Sequence, residues 1–304
     1  MTAYTPPSEL YPFDSHWLEL PGGRMHYLDE GPRDAPPVLM LHGNPTWSFY
    51  YRNLVQQLRN RYRCIVPDHI GCGLSDKPDD SSYPYRLERR IKDIQSLYQH
   101  LGLDQPLSLV VHDWGGMIGF GWATSCKPEI SRCVVLNTAA FPMPSDKSFP
   151  FALWLAGRTP LGTLLVRGLN AFSGMAAKVA FKKTVSKAVR KAYTGPYDSW
   201  ANRIATVRFV QDIPLKESDP GYKIVVKTEE QLGEFADKPA LIAWGELDFV
   251  FDEPFLNKWQ EHLPAARVLR YPECGHYILE DGGDDLIGEI SDFLDQHEHR
   301  LEKC

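Results

Sequence analysis

The sequence predicts an α/β protein in which helices cover both faces of a mostly parallel β-sheet. Short apolar segments with strand character alternate with longer segments of helical periodicity along most of the chain. One stretch, from Phe141 to about Leu215, breaks this alternation and is helix-like throughout. We therefore expect a core formed by residues 1–140 and 216–304, with a helical cap of residues 141–215 inserted over the carboxyl edge of the sheet.

The first half of the predicted sheet begins with a hairpin around the turn Pro21-Gly22-Gly23. Its predicted strands are Trp17–Leu20, Arg24–Leu28, Pro37–Leu41 and Cys64–Val66. An amphipathic helix is expected over Leu87–Gly102 because apolar residues recur on one helical face. The residues of that face are Leu87, Ile91, Ile94 and Leu97.

The second half continues the alternation from a buried strand that begins at Leu107. Further strands are predicted at Cys133–Leu136, Ala240–Trp244 and Arg267–Tyr271, and helices at Gly115–Cys126 and Pro254–His262. A final helix has one apolar face, formed by Leu286, Ile287, Ile290, Phe293 and Leu294. The apolar faces of the expected cap are supplied by Trp154, Leu155, Leu161, Leu164, Leu165, Leu169, Phe172 and Phe181.

Composition limits the classes of function. With 304 residues and 43% hydrophobic content, the chain can bury a large core, and a net charge of −6 argues against a general nucleic-acid binder. No basic segment followed by an apolar run begins the chain, and no stretch approaches the length of a membrane span. We therefore expect a cytoplasmic protein. The six cysteines include no C-x-x-C pair, so we expect reduced thiols with neither a zinc cage nor a redox motif. No other motif suggests a cofactor, so none is expected, and no metal site is expected.

The stretch from Leu107 to Met117 carries the first functional signal. Its apolar run stops at Asp113 and restarts through Gly115 and Gly116, the pattern of a strand, a tight turn and a helix. The same context presents the central nucleophile of a G-x-S-x-G elbow. A carboxylate there is already ionised and suits attack on a saturated carbon, which yields an enzyme ester. The alternative is an aspartate that only caps the following helix.

Five short motifs together resemble the haloalkane dehalogenase-like α/β-hydrolases over nearly the whole chain. They are His42–Thr46, Gly71–Ser75, His112–Gly116, Gly245–Asp248 and Gly275-His276. The resemblance implies an α/β-hydrolase fold. It also implies five site residues: Asp113 as the nucleophile, Asn44 and Trp114 as holders of the departing anion, His276 as the general base, and Asp248 as the acid that orients it.

Elementary chemistry agrees with these implied roles. Asn44 and Trp114 carry N–H donors, which stabilise negative charge as it develops, and their backbone N–H groups can form an oxyanion hole. A histidine such as His276 accepts a proton near neutral pH while a carboxylate fixes its tautomer. Some family members carry the acid after the preceding strand, but here that strand ends Leu136-Asn137-Thr138. Asp248 is therefore the expected acid.

The resemblance extends to one branch of the family through two segments of the expected cap, Tyr193–Trp200 and Arg208–Leu215, together with Asp248 as the acid. They resemble the branch that includes the β-lactone decarboxylases of bacterial long-chain olefin biosynthesis. The resemblance implies conversion of a cis-3,4-dialkyl β-lactone, an oxetan-2-one, to a cis-olefin and CO2 by the same five residues.

Three other functions stay open. A haloalkane dehalogenase would hydrolyse carbon–halogen bonds through an alkyl-enzyme ester. An epoxide hydrolase would use Tyr193 and Tyr197 to polarise an oxirane, although Asn44 favours an anionic leaving group. A non-catalytic binding module is the fourth possibility. Such modules need not keep a complete set of catalytic groups, whereas none of these groups is missing here.

The expected binding partner is a hydrophobic small molecule. A run of six basic residues without an acid adds a second possibility: Lys178, Lys182, Lys183, Lys187, Arg190 and Lys191. Such a run forms either a solvated helix face or a docking surface for an acidic partner, here another enzyme of the olefin pathway.

Overall fold

The computed structural model describes residues 4–301 and contains one eight-stranded sheet within them. Its strands are β1 (His16–Leu20), β2 (Gly23–Glu30), β3 (Pro37–Leu41), β4 (Arg63–Pro67), β5 (Leu107–Asp113), β6 (Ile130–Thr138), β7 (Ala240–Gly245) and β8 (Arg267–Tyr271). The spatial order is β1-β2-β4-β3-β5-β6-β7-β8. The pairings β1–β2 and β2–β4 are antiparallel, and all others are parallel. The carboxyl ends of the parallel strands therefore meet at one edge.

Eleven helices of the described chain surround this sheet. They are α1 (Arg52–Leu58), α2 (Leu87–Leu101), α3 (Trp114–Cys126), α4 (Phe151–Arg158), α5 (Pro160–Leu169), α6 (Ala171–Val179), α7 (Lys187–Thr194), α8 (Ile204–Gln211), α9 (Tyr222–Gln231), α10 (Glu253–His262) and α11 (Ile278–Leu301). The last is broken at Gly283, where the backbone leaves the helical region.

Alternation along the central strands creates two hydrophobic layers. In β3, Leu39 and Leu41 face the layer that contains α2, α3, α9 and α10, whereas Val38 and Met40 face the layer that contains α1 and α11. Because successive side chains of a strand point to opposite faces, a strand buried on both sides is apolar almost throughout. This explains the continuous apolar runs in the sequence.

Most of the predicted elements are confirmed. Strand β6 is longer than predicted because it starts at Ile130 and runs to Thr138. Helices α1 and α9 were not predicted. The sequence of α9 contains Ile224-Val225-Val226, a β-branched run that obscures its helical periodicity.

The expectation that residues 141–215 are helix-like throughout is wrong in several places. Residues 142–150 form no helix, and this segment contains three prolines, which interrupt helices. Residues 180–186 also lack a helix, because the backbone N–H groups of Lys182 and Lys183 donate to the Asp281 carboxylate. Helices α4 to α8 and two short 3-10 helices, Gly195–Tyr197 and Ala201–Arg203, occupy most of the remainder, and residues 212–215 again form no helix. The division into core and cap stays a prediction, and its ends at residues 1–3 and 302–304 lie outside the described chain.

Five of the six cysteines lie within residues 4–301. The cysteines there are free thiols, namely Cys64, Cys72, Cys126, Cys133 and Cys274, while Cys304 lies outside this range. Within the same range, no helix combines the length and the apolar composition needed to cross a bilayer.

Candidate active site

Asp113 occupies a strained turn between β5 and α3. Its backbone has φ 52° and ψ −123°, which is a rare conformation for a residue with a side chain. The turn is possible because Gly115 follows, since a Cβ there would lie 1.9 Å from the carbonyl oxygen of Leu41. The side chain of Asp113 makes no capping hydrogen bond to α3. The simple helix-cap interpretation therefore does not explain this residue.

The two carboxylate oxygens of Asp113 have different surroundings. Oδ1 accepts a hydrogen bond of 2.6 Å from the backbone N–H of Asn44, and the backbone N–H of Trp114 also favours the ionised carboxylate and lowers its pKa. Oδ2 lies 3.6 Å from Nε2 of His276, beyond hydrogen-bond distance. One oxygen is thus held by the protein, and the other is positioned for attack. If Oδ2 forms an ester, Oδ1 becomes its carbonyl oxygen, already in an oxyanion hole.

His276 and Asp248 form a buried pair. Nδ1 of His276 donates to Oδ2 of Asp248 at 2.7 Å, and the other Asp248 oxygen accepts from the backbone N–H of Val250 at 2.8 Å. Nε2 of His276 therefore faces Asp113 as the free ring nitrogen, which is the arrangement of a general base. His112 supports this geometry from below, because its Nε2 donates to the His276 carbonyl at 2.8 Å.

Asn137, where some family members carry the acid, has a different task here. Its side chain accepts from the backbone N–H of Gly245 at 2.8 Å and donates to the carbonyl of the same residue at 3.0 Å. These two bonds fasten the end of β7, from which the loop carrying Asp248 departs. Asn137 is therefore a positioning residue for the loop, and its side chain makes no hydrogen bond to the histidine ring.

Burial is the largest influence on the pKa values of both Asp113 and His276. It raises the pKa of Asp113 above its ordinary value, opposed by His276 and by the backbone N–H groups of Asn44 and Trp114. Burial lowers the pKa of His276, but the Asp248 charge and hydrogen bond, together with Asp113, outweigh it and raise that pKa overall. Each of the two groups consequently stabilises the charged form of the other.

The side chains of Asn44 and Trp114 reach the same cavity as Asp113 and His276. Nδ2 of Asn44 donates to the Thr206 carbonyl in α8 at 3.0 Å. An amide NH2 carries two hydrogens, so the second can serve a bound anion. The Trp114 ring packs on Phe209, with 5.2 Å between ring centroids. The structure thus brings all five predicted site residues together.

A cavity of about 600 Å³ extends from Asp113 into the space between the sheet and the predicted cap. Its walls are almost entirely apolar and come from α4, α5, α6 and the segments beside α8 and α10. Representative wall residues are Leu153, Leu155, Leu165, Val166, Phe172 and Met175. A cavity of this size and character fits a hydrophobic small molecule.

One charged residue that lines the cavity was not predicted from the sequence. Lys147 lines the cavity, and its ammonium group forms an ion pair with Asp252 at the start of α10. No sequence signal marks this pair, because the two residues are 105 positions apart and in segments without periodicity. It links the predicted cap to the core at the cavity wall.

The tyrosines expected for epoxide chemistry do not reach the cavity. The hydroxyl of Tyr193 donates to Glu280, and that of Tyr197 donates to the carbonyl of Thr46 at 3.3 Å. Both rings are buried, and neither contributes to the cavity wall. The expectation that they polarise an oxirane is therefore wrong, because each hydroxyl serves a structural hydrogen bond.

The fold and this site define an α/β-hydrolase. Residues 36–283 match the family model described as alpha/beta hydrolase fold, so the chain belongs to this family. A cis-3-alkyl-4-alkyloxetan-2-one decarboxylase of Shewanella oneidensis is 53% identical over 290 residues, covering 95% of this chain and 91% of the relative. A protein of the same name from Xanthomonas campestris is 47% identical, covering 94% of this chain and 98% of the relative.

Haloalkane dehalogenases are similar at a greater distance. Haloalkane dehalogenase 2 of Mycobacterium tuberculosis is 31% identical, covering 94% of this chain and 97% of the relative. The crystal structure of haloalkane dehalogenase DbeA from Bradyrhizobium elkani superposes with a TM-score of 0.85 at 26% identity, covering 95% and 99% of the two chains. The resemblance drawn from the sequence motifs is confirmed.

Proposed function

We propose that this protein is a β-lactone decarboxylase that converts cis-3-alkyl-4-alkyloxetan-2-ones to cis-olefins and CO2. The observation that carries the proposal is the free Oδ2 of Asp113, which faces an apolar cavity of about 600 Å³. The name shared by relatives at 53% and 47% identity supports the choice of substrate. In this proposal, residues 1–140 and 216–304 supply the reacting groups, and residues 141–215 supply walls for the alkyl arms.

The first step is displacement at the ring carbon that bears the lactone oxygen. Oδ2 of Asp113 forms a bond to this carbon while the bond from carbon to ring oxygen breaks, which inverts the carbon. The freed carboxylate takes the electron pair and rests on the N–H donors of Asn44 and Trp114. The product of this step is a β-carboxyalkyl ester of Asp113.

The second step removes CO2 without water. The bond between the substrate carboxylate and its neighbouring carbon breaks, and its electrons form the new double bond as the bond to Asp113 breaks. The enzyme carboxylate is thereby restored. Inversion followed by anti elimination turns a cis-lactone into a cis-olefin, as required. A rival route, in which Asp113 attacks the lactone carbonyl to give an anhydride, uses the same nucleophile.

Haloalkane hydrolysis is the second candidate function. Its support is the geometry of His276 and Asp248, because an activated water is obligatory when the ester has no carboxylate to lose. A relative named haloalkane dehalogenase is also 31% identical. The non-catalytic interpretation is weaker, since nucleophile, base, acid and anion donors all stand together around one cavity.

The proposed setting is the cytoplasm, in an assembly with other enzymes of the olefin pathway. The support for the assembly is the exposed basic run that begins at Lys178, whose six side chains form no ion pair with an acid among residues 4–296, where side chains are described. Charge reversal at Lys182 and Lys183 is expected to weaken such an assembly in a salt-sensitive manner. Co-purification of tagged wild-type and reversed proteins from cells that express the pathway tests this, and unchanged assembly would contradict it.

The function itself is tested by incubating the protein with a cis-3,4-dialkyl β-lactone and, separately, with a bromoalkane of similar length. Olefin is measured by gas chromatography and bromide by ion chromatography. We expect olefin from the lactone at a much higher kcat/KM than bromide from the haloalkane. Bromide without olefin would contradict the proposal and favour the dehalogenase.

A further inference from the structure

The outer surface of helices α4, α5 and α6 is unusually apolar. Each carries large hydrophobic side chains that face solvent while other residues of the same helix line the cavity. The exposed residues are Phe151, Trp154, Leu161, Leu164, Leu169, Met175 and Val179. Phe151 and Leu169 are 72% and 75% exposed, so little of either side chain is covered by protein. An exposed apolar patch of this kind marks an interaction site.

Positive charge adjoins this patch. Residues 147–197 contain nine basic residues and no acidic residue, although the whole chain carries a net charge of −6. Lys178 lies beside Val179 in α6, and five further basic residues follow up to the end of α7, which packs against α6. All six are exposed, and none pairs with an acid among residues 4–296, where side chains are described. We call the seven apolar and six basic residues together the cationic apolar face.

The cavity opens into this face. Met175 and Val179 line the cavity and are also 57% and 40% exposed, and Phe249 does the same from the core side at 48% exposure. An apolar path therefore leads from the outer surface of the cap to Asp113. A molecule with long alkyl chains would enter the cavity here with little contact with water.

We propose that the cationic apolar face docks on the surface of an anionic lipid bilayer. Aromatic and leucine side chains beside clustered lysines are the composition of segments that lie in the interface of a membrane. Clustered lysine and arginine residues are attracted to the negative surface potential of anionic lipids. The docked protein stays peripheral, with the apolar residues in the headgroup region and the basic residues at the phosphates.

Two other occupants fit the face less well. A second copy bound through the same surface would place two clusters of six cations together, which electrostatic complementarity disfavours. An acidic enzyme docked on the six basic residues, as proposed above for the pathway assembly, would match their charge but would leave Phe151 and Leu169 in contact with water, so it does not account for the apolar half of the face. If the docked protein takes its lactone from the bilayer, that part of the inference rests on the proposed function. The binding of lipid itself does not rest on it.

The test is flotation of the purified full chain with vesicles, in the absence of substrate. Vesicles of phosphatidylcholine with phosphatidylglycerol are compared with vesicles of phosphatidylcholine alone. We expect binding only to the anionic vesicles, weakened by salt because surface charges are screened. Reversal of two charges in K182E/K183E is expected to weaken binding by at least about tenfold. The matched control K216E/K223E changes the same charge at exposed sites outside residues 147–197 and should retain binding.

A second variant tests the apolar half of the face. F151S/L169S removes two exposed side chains that do not line the cavity. We expect it to bind the anionic vesicles more weakly at low salt, although all six basic residues remain, because the apolar contact with the headgroup region is lost. The matched control is W17S, which removes an exposed apolar residue from β1. The proposal would be overturned if the wild-type protein did not bind anionic vesicles. It would also be overturned if the variants bound these vesicles as strongly as their matched controls. Binding to polyglutamate but not to vesicles would overturn it in favour of an acidic protein partner.

Discussion

A single methyl group at Gly43 is expected to disable the nucleophile. A Cβ at this position would lie 1.9 Å from Oδ1 of Asp113 and 2.3 Å from its Cβ, whereas ordinary contact begins at 3.4 Å. Rotation of the side chain can relieve the contact with Oδ1 but not the contact with Cβ, so the Asp113 turn and the loop that carries Gly43 must move apart by roughly 1 Å. A misplacement of about 1 Å costs about 10²-fold in rate, so Gly43→Ala should lower kcat by at least about 10²-fold.

The assay is olefin release from a dialkyl β-lactone at saturating substrate, with circular dichroism and a melting curve to verify folding. KM should change less than kcat, because Gly43 does not line the cavity. The matched control is Gly288→Ala in α11, where an added Cβ meets no atom within 4 Å. A folded Gly43→Ala protein with wild-type kcat would refute the assignment of Asp113 as the attacking group.

Three further predictions concern the same site. Asp113→Ala should lower turnover of lactone and bromoalkane by at least about 10⁴-fold while the melting temperature is retained; substantial activity in the folded variant would exclude covalent catalysis. Trp114→Phe should lower kcat by about 10² to 10³-fold through loss of one anion donor, measured by steady-state kinetics, and an unchanged kcat would remove the indole from the mechanism. As the pH is lowered, turnover of the bromoalkane should begin to fall at a higher pH than turnover of the lactone. Hydrolysis needs neutral His276, whose pKa lies above its ordinary value, whereas the lactone reaction needs only ionised Asp113, whose lower ordinary pKa is raised by burial; coincident acid limbs would contradict this.

The arrangement of Asp113, Asp248 and His276 was predictable because each follows a parallel strand. Carboxyl ends of parallel strands meet at one edge, so residues far apart in sequence converge there. The alternation of strands and helices was legible for the same reason, since each strand is buried on both faces.

The interior of the cap was not predictable in the same way. Helices α4 to α6 are apolar on two sides, and periodicity cannot tell that Leu165 lines the cavity while Leu164 faces solvent. The roles of Tyr193 and Tyr197 were misjudged because their hydrogen-bond partners come from distant segments. The pair of Lys147 and Asp252 is likewise a tertiary contact between irregular segments without a local pattern.

The central claim is that Asp113 attacks the lactone and that CO2 loss, without water, releases it. Intact-protein mass spectrometry of His276→Ala after incubation with each substrate tests this most directly. With a bromoalkane, the account predicts a stable alkyl adduct on Asp113, because no base activates water to hydrolyse the ester. With a dialkyl β-lactone, it predicts continued release of cis-olefin at a reduced rate and no lasting adduct. A stable lactone adduct with no olefin would contradict the account.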